Sequence, residues 1–397
     1  MALPVTSEAL DDVRVLDLSE GVAGPFCTKL LAALGADVIS VEAPGRGDRA
    51  RSYPPFAGDE PHPELSGLFL YLNTGKRSVT LDLAQASGRA IAGRLAGWAD
   101  IVIEDFAPGQ LDAWGLGHEA LAAARPGAIV VSVTDYGQSG PYRDWRATDL
   151  TALALGGSLY IAGDEDREPL KIGGRPAQFF AGLSAFSGAL LALHYRDATG
   201  EGQHVDVSML EGIATAQEYP GAAWAYKREI RVRGPGHAPM FEVGDGYIGL
   251  MFPQARWAAF CELIGRPEIE HDPRFEGTRQ RRDNMAELSE IIAEWTEGKR
   301  KADLYHAVQA VQGPAGYVCT APDLIESPQF VEREFFSEVD HPASGPLLYP
   351  GLPLRFGTER PPLRRAPLLG EHNAEVYGEL LGCSAADLAR MRGAGVI

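Results

Sequence analysis

Four short stretches of this chain gather side chains able to do chemistry. In NTGKRSVTLDL, Lys76 and Arg77 leave a glycine-containing turn and enter a strand-like run. Backbone N–H groups and two cations could meet a phosphate there. Exposed basic pairs at turns are also commonly just solvated, and charge alone leaves both readings open. In ATDLTALALGG and TGEGQHVDVSMLEG, Asp149, Asp206 and Glu211 supply carboxylates that could serve as bases or nucleophiles. In RPAQFFAGLSAFSGALLAL, an apolar helical run is headed by Gln178, an amide that can donate and accept but carries no nucleophilic charge.

Other chemistries lack their patterns. The nine histidines are scattered without H-E-x-x-H or comparable ligand spacing, so no metal is expected. There is no G-x-S-x-G elbow for a serine nucleophile. The four cysteines form no C-x-x-C pair, which points to neither zinc nor a disulfide framework and fits a reducing cytoplasm. Lys and Arg total 36 against 54 Asp and Glu, and a formal charge of −18 would repel a nucleic-acid backbone. With no basic leader and no run of about 18 apolar residues, neither a signal peptide nor a membrane span is expected.

The elements that must position these groups follow from periodicity. VRVLDLS alternates as a strand, GPFCTKLLAALG has helical spacing and stops at Gly35, and ADVISVEAP returns as a strand. Strands RSVTLDL, DIVIED and GAIVVSVTDYG follow, separated by helical stretches. The pattern predicts an α/β fold with an open, mostly parallel, Rossmann-like sheet. No G-x-G-x-x-G follows the first strand, where SEGVAGPFC stands instead, so no dinucleotide cofactor is implied. Residues 1–218 form the first part of a large domain. The Pro-, Gly- and Arg-rich residues 219–234 read as an irregular crossover linker. Residues 235–322, with a hairpin around Gly244 to Gly246 and helices at Trp257 to Ile264, Met285 to Thr296 and Lys301 to Val311, form a small α/β domain. Residues 323–397 return to the large domain.

The segments GVAGPFCTKLLAALGADVISVEAPGRGDRAR, NTGKRSVTLDL, VIEDFAPGQLDAWGLG, YGQSGPY, ATDLTALALGG, TGEGQHVDVSMLEG and PLLGEHNAEV resemble, in order and spacing, the class III CoA-transferases, which include formyl-CoA transferase, carnitine CoA-transferase and the α-methylacyl-CoA racemases. The resemblance covers essentially the whole chain. It implies an interwound dimer, with the crossover reaching around a partner, and a coenzyme A thioester as substrate with no covalently bound cofactor. It also implies a CoA pocket that includes Val22, Ala23, Lys76, Arg77, Phe106 and Tyr136.

In transferases of this family an aspartate attacks the thioester to form an anhydride, and a carboxylate is needed as both nucleophile and leaving group. Counting back from Thr199 to Gln203, that place falls on Gln178. The His-Asp pair and second acid of the racemases fall on Thr148, Asp149 and Gln178, and a further glutamate falls on Phe252. Positions that commonly offer basic or amide groups to the nucleotide carry Ala43, Asp105, Ala113 and Thr134. The resemblance therefore implies the non-catalytic subunit of a two-chain CoA-transferase, similar to the aspartate-less subunit of benzylsuccinate CoA-transferase, that moves CoA from an acyl-CoA such as succinyl-CoA to a carboxylic acid. Two alternatives stand beside it: an active homodimer using Asp149, Asp206 or Glu211, and a non-enzymatic scaffold.

Overall fold

Six runs of alternating or continuous apolar character become one parallel sheet in the computed structural model, which describes residues 8–163, 166–230, 233 and 239–397. In chain order the elements are β1 (Arg14–Asp17), α1 (Ala23–Ala33), β2 (Asp37–Glu42), α2 (Gly67–Leu72), β3 (Arg77–Thr80), α3 (Ala86–Trp98), β4 (Ile101–Glu104), α4 (Gln110–Ala113), α5 (His118–Ala124), β5 (Ile129–Thr134), α6 (Asp149–Leu155), α7 (Pro176–Thr199), β6 (His204–Ser208), α8 (Met209–Thr215) and α9 (Glu218–Lys227). The strand order is β3-β2-β1-β4-β5-β6, every neighbouring pair parallel. Order reverses between β1 and β4. In such a sheet the crevice beyond the carboxyl ends of those two strands is where ligands bind.

The chain divides into two compact units. The large one comprises residues 1–162, 170–231 and 332–397. Its sheet separates two apolar cores: Val15, Ile101, Ile103, Val131 and Val133 face α1 and α7, whereas Leu16, Ile39, Val102 and Val130 face α3. Residues near the carboxyl terminus complete the second core. Val376 and Tyr377 are fully buried, and the Tyr377 hydroxyl donates to the Thr80 carbonyl at 2.8 Å. The hairpin β10 (Phe336–Val339) and β11 (Leu347–Pro350) packs Val339 and Tyr349 with Phe69 and Leu70, and α16 (Ala385–Gly393) closes the chain.

α7 is the longest helix, and its composition explains how it lies. Ala177, Ala181, Gly182, Ala185, Ala189 and Ala192 form a small-residue stripe that lets it approach α1 and the sheet closely. A Cβ added at Gly182 would lie 2.5 Å from the Ala23 carbonyl and 3.1 Å from the Phe26 ring. By length and composition this helix could also span a bilayer. The opposite face exposes Phe180, Leu183, Leu191 and Tyr195, with Leu191 at 70% exposure.

The smaller unit comprises residues 163–169 and 232–331. Its hairpin of β7 (Met240–Val243) and β8 (Gly246–Leu250) turns where the sequence predicts, and β9 (Ala315–Tyr317) adds a third antiparallel strand. α10 (Trp257–Leu263), α11 (Thr278–Asp283), α12 (Met285–Thr296), α13 (Lys301–Ala310), α14 (Ala321–Ile325) and α15 (Pro328–Glu332) complete the helices. Trp257, Phe260, Phe275, Leu288 and Ile292 form its core. Phe252 packs there against Phe260, with centroids 4.9 Å apart.

Two sequence expectations need correction. Residues 219–234 are not irregular throughout, because α9 occupies their first part. Pro220 falls in the first turn, where its missing N–H has no intrahelical partner to lose, and the Ala-rich stretch beyond propagates the helix. Of the remaining linker, 231–232 and 234 lie outside the described residues, as do 235–238, where the small domain is expected to start. That unit runs to Val331, beyond the expected limit at 322, because α14 and α15 continue its helical array.

Candidate functional site

β1 ends in Asp17, a buried carboxylate that organises everything after it. Its Oδ1 accepts the Ser19 N–H, and its Oδ2 accepts the Thr28 hydroxyl at 2.6 Å and the Lys76 ammonium at 3.1 Å. Lys76 Nζ also donates to the Pro25 carbonyl at 3.0 Å and Asn73 Oδ1 at 2.8 Å. The SEGVAGP segment then turns at Gly21, whose φ of +89° suits glycine, and packs at Gly24, where a Cβ would lie 2.1 Å from Ser19 Oγ. The Gly21 N–H donates to Asp48 Oδ1 at 2.9 Å, tying this turn to the loop after β2.

A cavity of about 450 Å³ opens at this point, at the carboxyl ends of β1, β4 and β5 where strand order reverses. Glu20, Gly21, Val22 and Ala23 form one wall, Asp105, Phe106 and Thr134 another, and Arg143, Trp145 and Arg146 a third; Arg175 and Gln178 enter from the start of α7. Arg49 reaches in from the loop after β2 and pairs with both Glu20 and Asp105 at 3.2 Å. Burial drives the Asp105 carboxyl well above the usual carboxylate range, with the Arg49 charge opposing. Burial likewise pushes Asp48, behind the wall, up to about 7, although its Oδ1 accepts from both Gly21 and Ala50 N–H groups.

The start of α7 is held by Asp149. Its Oδ1 accepts the Ala177 N–H at 2.9 Å and its Oδ2 lies 3.1 Å from Lys171 Nζ. Lys171 in turn donates to the carbonyls of Ile172 and Gly174, which fixes the loop leading to Arg175. The Arg175 guanidinium lies over the Tyr53 ring, 4.8 Å from its centroid. One turn on, Gln178 lines the cavity with its Oε1 buried and without a hydrogen-bond partner.

Of the expected pocket residues, Val22, Ala23 and Phe106 line this cavity, and so do Asp105 and Thr134. Tyr136 lies beside the rim, its ring 6.5 Å from that of Trp145. Lys76 and Arg77 do not belong. Lys76 is fully buried and spent on Asp17, while Arg77 pairs with Asp37 at 2.6 Å and Glu375 at 2.8 Å against the Trp98 ring. A turn sequence shows two cations but not that a buried carboxylate and a distant glutamate claim them. Ala43 and Ala113 also lie outside the cavity lining. Asp149 stands behind the wall as a helix cap, and Asp206 accepts the Gln138 N–H at 3.0 Å away from the lining.

Sequence reasoning missed four arginines in this cavity, Arg49, Arg143, Arg146 and Arg175. Arg143 and Arg146 follow directly on a strand predicted to end at Tyr136 and Gly137. The rule that ligands bind beyond carboxyl ends of parallel strands could have found them.

The family model described as CoA-transferase family III matches residues 10–373. The succinyl-CoA–D-citramalate CoA-transferase of Chloroflexus aurantiacus is 36% identical, with 98% of each chain covered. Subunit BbsE of the succinyl-CoA:(R)-benzylsuccinate CoA-transferase of Thauera aromatica is 33% identical over 92% of this chain and 93% of its own. A CAIB/BAIF family protein from Brucella suis superposes with a TM-score of 0.84 at 31% identity, covering 94% of this chain and 100% of that one.

Proposed function

The chain belongs to CoA-transferase family III, and we propose that it is the subunit of a two-chain enzyme that carries no nucleophile of its own. The assembly moves CoA from succinyl-CoA to a carboxylic acid. One observation carries this reading: the side chain presented to the cavity at the head of α7 is the amide of Gln178. In the covalent route a carboxylate attacks the thioester carbonyl, CoA leaves as thiolate, and the resulting anhydride is reopened by the thiolate at the enzyme's acyl carbon. An amide has neither the charge to attack nor an oxyanion to leave, so neither half of this route runs through residue 178. The partner is a homologous chain with a carboxylate at that place. The apolar face of α7, exposing Phe180, Leu183, Leu191 and Tyr195, supports association with such a partner. The relative BbsE is itself named as a subunit. The four free cysteines fit a reducing cytoplasm.

A second reading is that the chain works as a homodimer through another carboxylate. Glu20 and Asp105 in the same cavity favour it, but Asp105 is held toward its protonated, non-nucleophilic form. The test is turnover of the purified chain with succinyl-CoA and a panel of acids, alone and with a homologous aspartate-bearing chain from the same source. The expected outcome is exchange only with both chains. Ordinary turnover by this chain alone would establish the second reading instead.

A further inference from the structure

We propose that a second cavity, on the face of the sheet turned away from α7, binds a small aliphatic ammonium ion. The cavity measures about 640 Å³, within the range of small-molecule sites. Glu104 at the end of β4, Val130 and Ser132 on β5 and His204 at the start of β6 form one wall. Leu111 and Asp112 of α4, with His118 and Glu119 of α5, form the other. Val130 and Leu111 belong to the core on the α3 side of the sheet, and no lining residue is shared with the arginine-rich cavity. The two cavities also differ in charge. The carboxylates of Glu104, Asp112 and Glu119 line this one, and no described Lys or Arg does.

Burial decides which charge suits the cavity. Glu104 is 3% exposed, and burial, with the Asp112 and Asp206 charges adding to it, pushes its carboxyl above the usual range. Bonds from the Ser132 hydroxyl and the Phe106 N–H oppose the rise without cancelling it. The two imidazoles do not neutralise the carboxylates. Burial and the neighbouring His118 hold His204 toward its neutral form, the two rings stacking with centroids 6.1 Å apart. A neutral imidazole is an acceptor. With its proton given to Glu104, Ser132 Oγ accepts from His204 Nε2, 2.9 Å away, which leaves the lone pair on Nδ1. His118 Nε2 is buried without a partner, and so is the Gln138 amide nitrogen, which a half-turn of the amide exchanges for its oxygen. A cleft lined by negative charge and acceptors concentrates cations. Among the described residues no three His, Cys, Asp or Glu side chains converge to ligate a metal ion. A cation whose N–H groups reach separate acceptors fits instead, and Leu111 and Val130 give its methylenes apolar contact.

Calorimetric titration of the purified chain at neutral pH and constant ionic strength tests this, with putrescine and butane-1,4-diol as probes of equal length that end in ammonium or hydroxyl groups. Wild type should bind putrescine at least tenfold more tightly than the diol. Glu104→Gln should weaken putrescine binding at least tenfold, and Asp112→Asn at least threefold. Magnesium chloride should leave the putrescine affinity within twofold. Non-specific attraction to a chain of formal charge −18 would barely notice the loss of one buried carboxylate. Undiminished putrescine binding in a folded Glu104→Gln chain would therefore overturn the proposal. Equal binding of the amine and the diol by wild type, or displacement of putrescine by magnesium, would also overturn it. If Glu104→Gln fails to fold, Asp112→Asn decides alone, full retention of the affinity counting against the site.

Discussion

Asp48 offers a prediction whose size can be worked from the structure. Its carboxyl is buried behind the cavity wall and is raised from 3.8 to about 7, chiefly by burial and further by the neighbouring Glu42 and Glu20 charges. Two N–H donors on Oδ1 pull the other way and do not win. The folded chain therefore holds a proton that the unfolded chain has already lost between about pH 4 and 7. The stability this group contributes is fully present below about pH 4, falls by about 1.4 kcal/mol per pH unit, and is gone above about 7. Over the whole window the loss is on the order of 4 kcal/mol. Asp48→Asn mimics the protonated form, because one amide oxygen can accept from Gly21 and Ala50 as Oδ1 does. Urea unfolding of both proteins at pH 5 and pH 8 should show the variant gaining about 3 kcal/mol on wild type between the two conditions. Parallel behaviour, with the gap constant to about 0.5 kcal/mol, would refute the assignment of a buried neutral carboxyl at Asp48.

Further outcomes follow from the packing. Lys76→Met leaves the Asp17 carboxylate buried without its cation and should cost about 3–5 kcal/mol in denaturant unfolding, whereas Arg77→Ala removes part-exposed pairs and should cost about 1 kcal/mol or less. CoA affinity measured by calorimetry should be unchanged in Arg77→Ala; a large loss would restore Arg77 to the CoA site. Gly182→Ala forces a methyl against the Ala23 carbonyl and the Phe26 ring, and should lower stability by about 1–3 kcal/mol. A melting temperature equal to wild type would show that α7 does not approach α1 this closely.

The sheet was legible because burial on both faces writes itself as continuous apolar strands, and helices between them as stops at glycine. IVIE and IVVSVT could hardly be anything else, and the hairpin at Gly244 to Gly246 is equally plain. Chemistry was less legible, since it depends on which charges find each other across the fold. Lys76 and Arg77 look like a phosphate turn until Asp17, 59 positions earlier, and Glu375, 298 positions later, are seen to hold them. Arg49 and Arg175 meet one cavity although they arise from a loop after β2 and the entry of α7. No local pattern announces that convergence; only the reversal of strand order between β1 and β4 does. The family resemblance, counted back from Thr199, is what put Gln178 at the nucleophile's place, and the helix between the two residues is unbroken and keeps register.

The most direct test of the central claim is the intact mass of the purified chain after incubation with succinyl-CoA, beside that of Gln178→Asp. The account predicts no covalent species on wild type, and on the variant a succinyl or CoA adduct that maps to residue 178. An adduct on wild type, wherever it maps, would contradict the claim that this chain carries no nucleophile of its own.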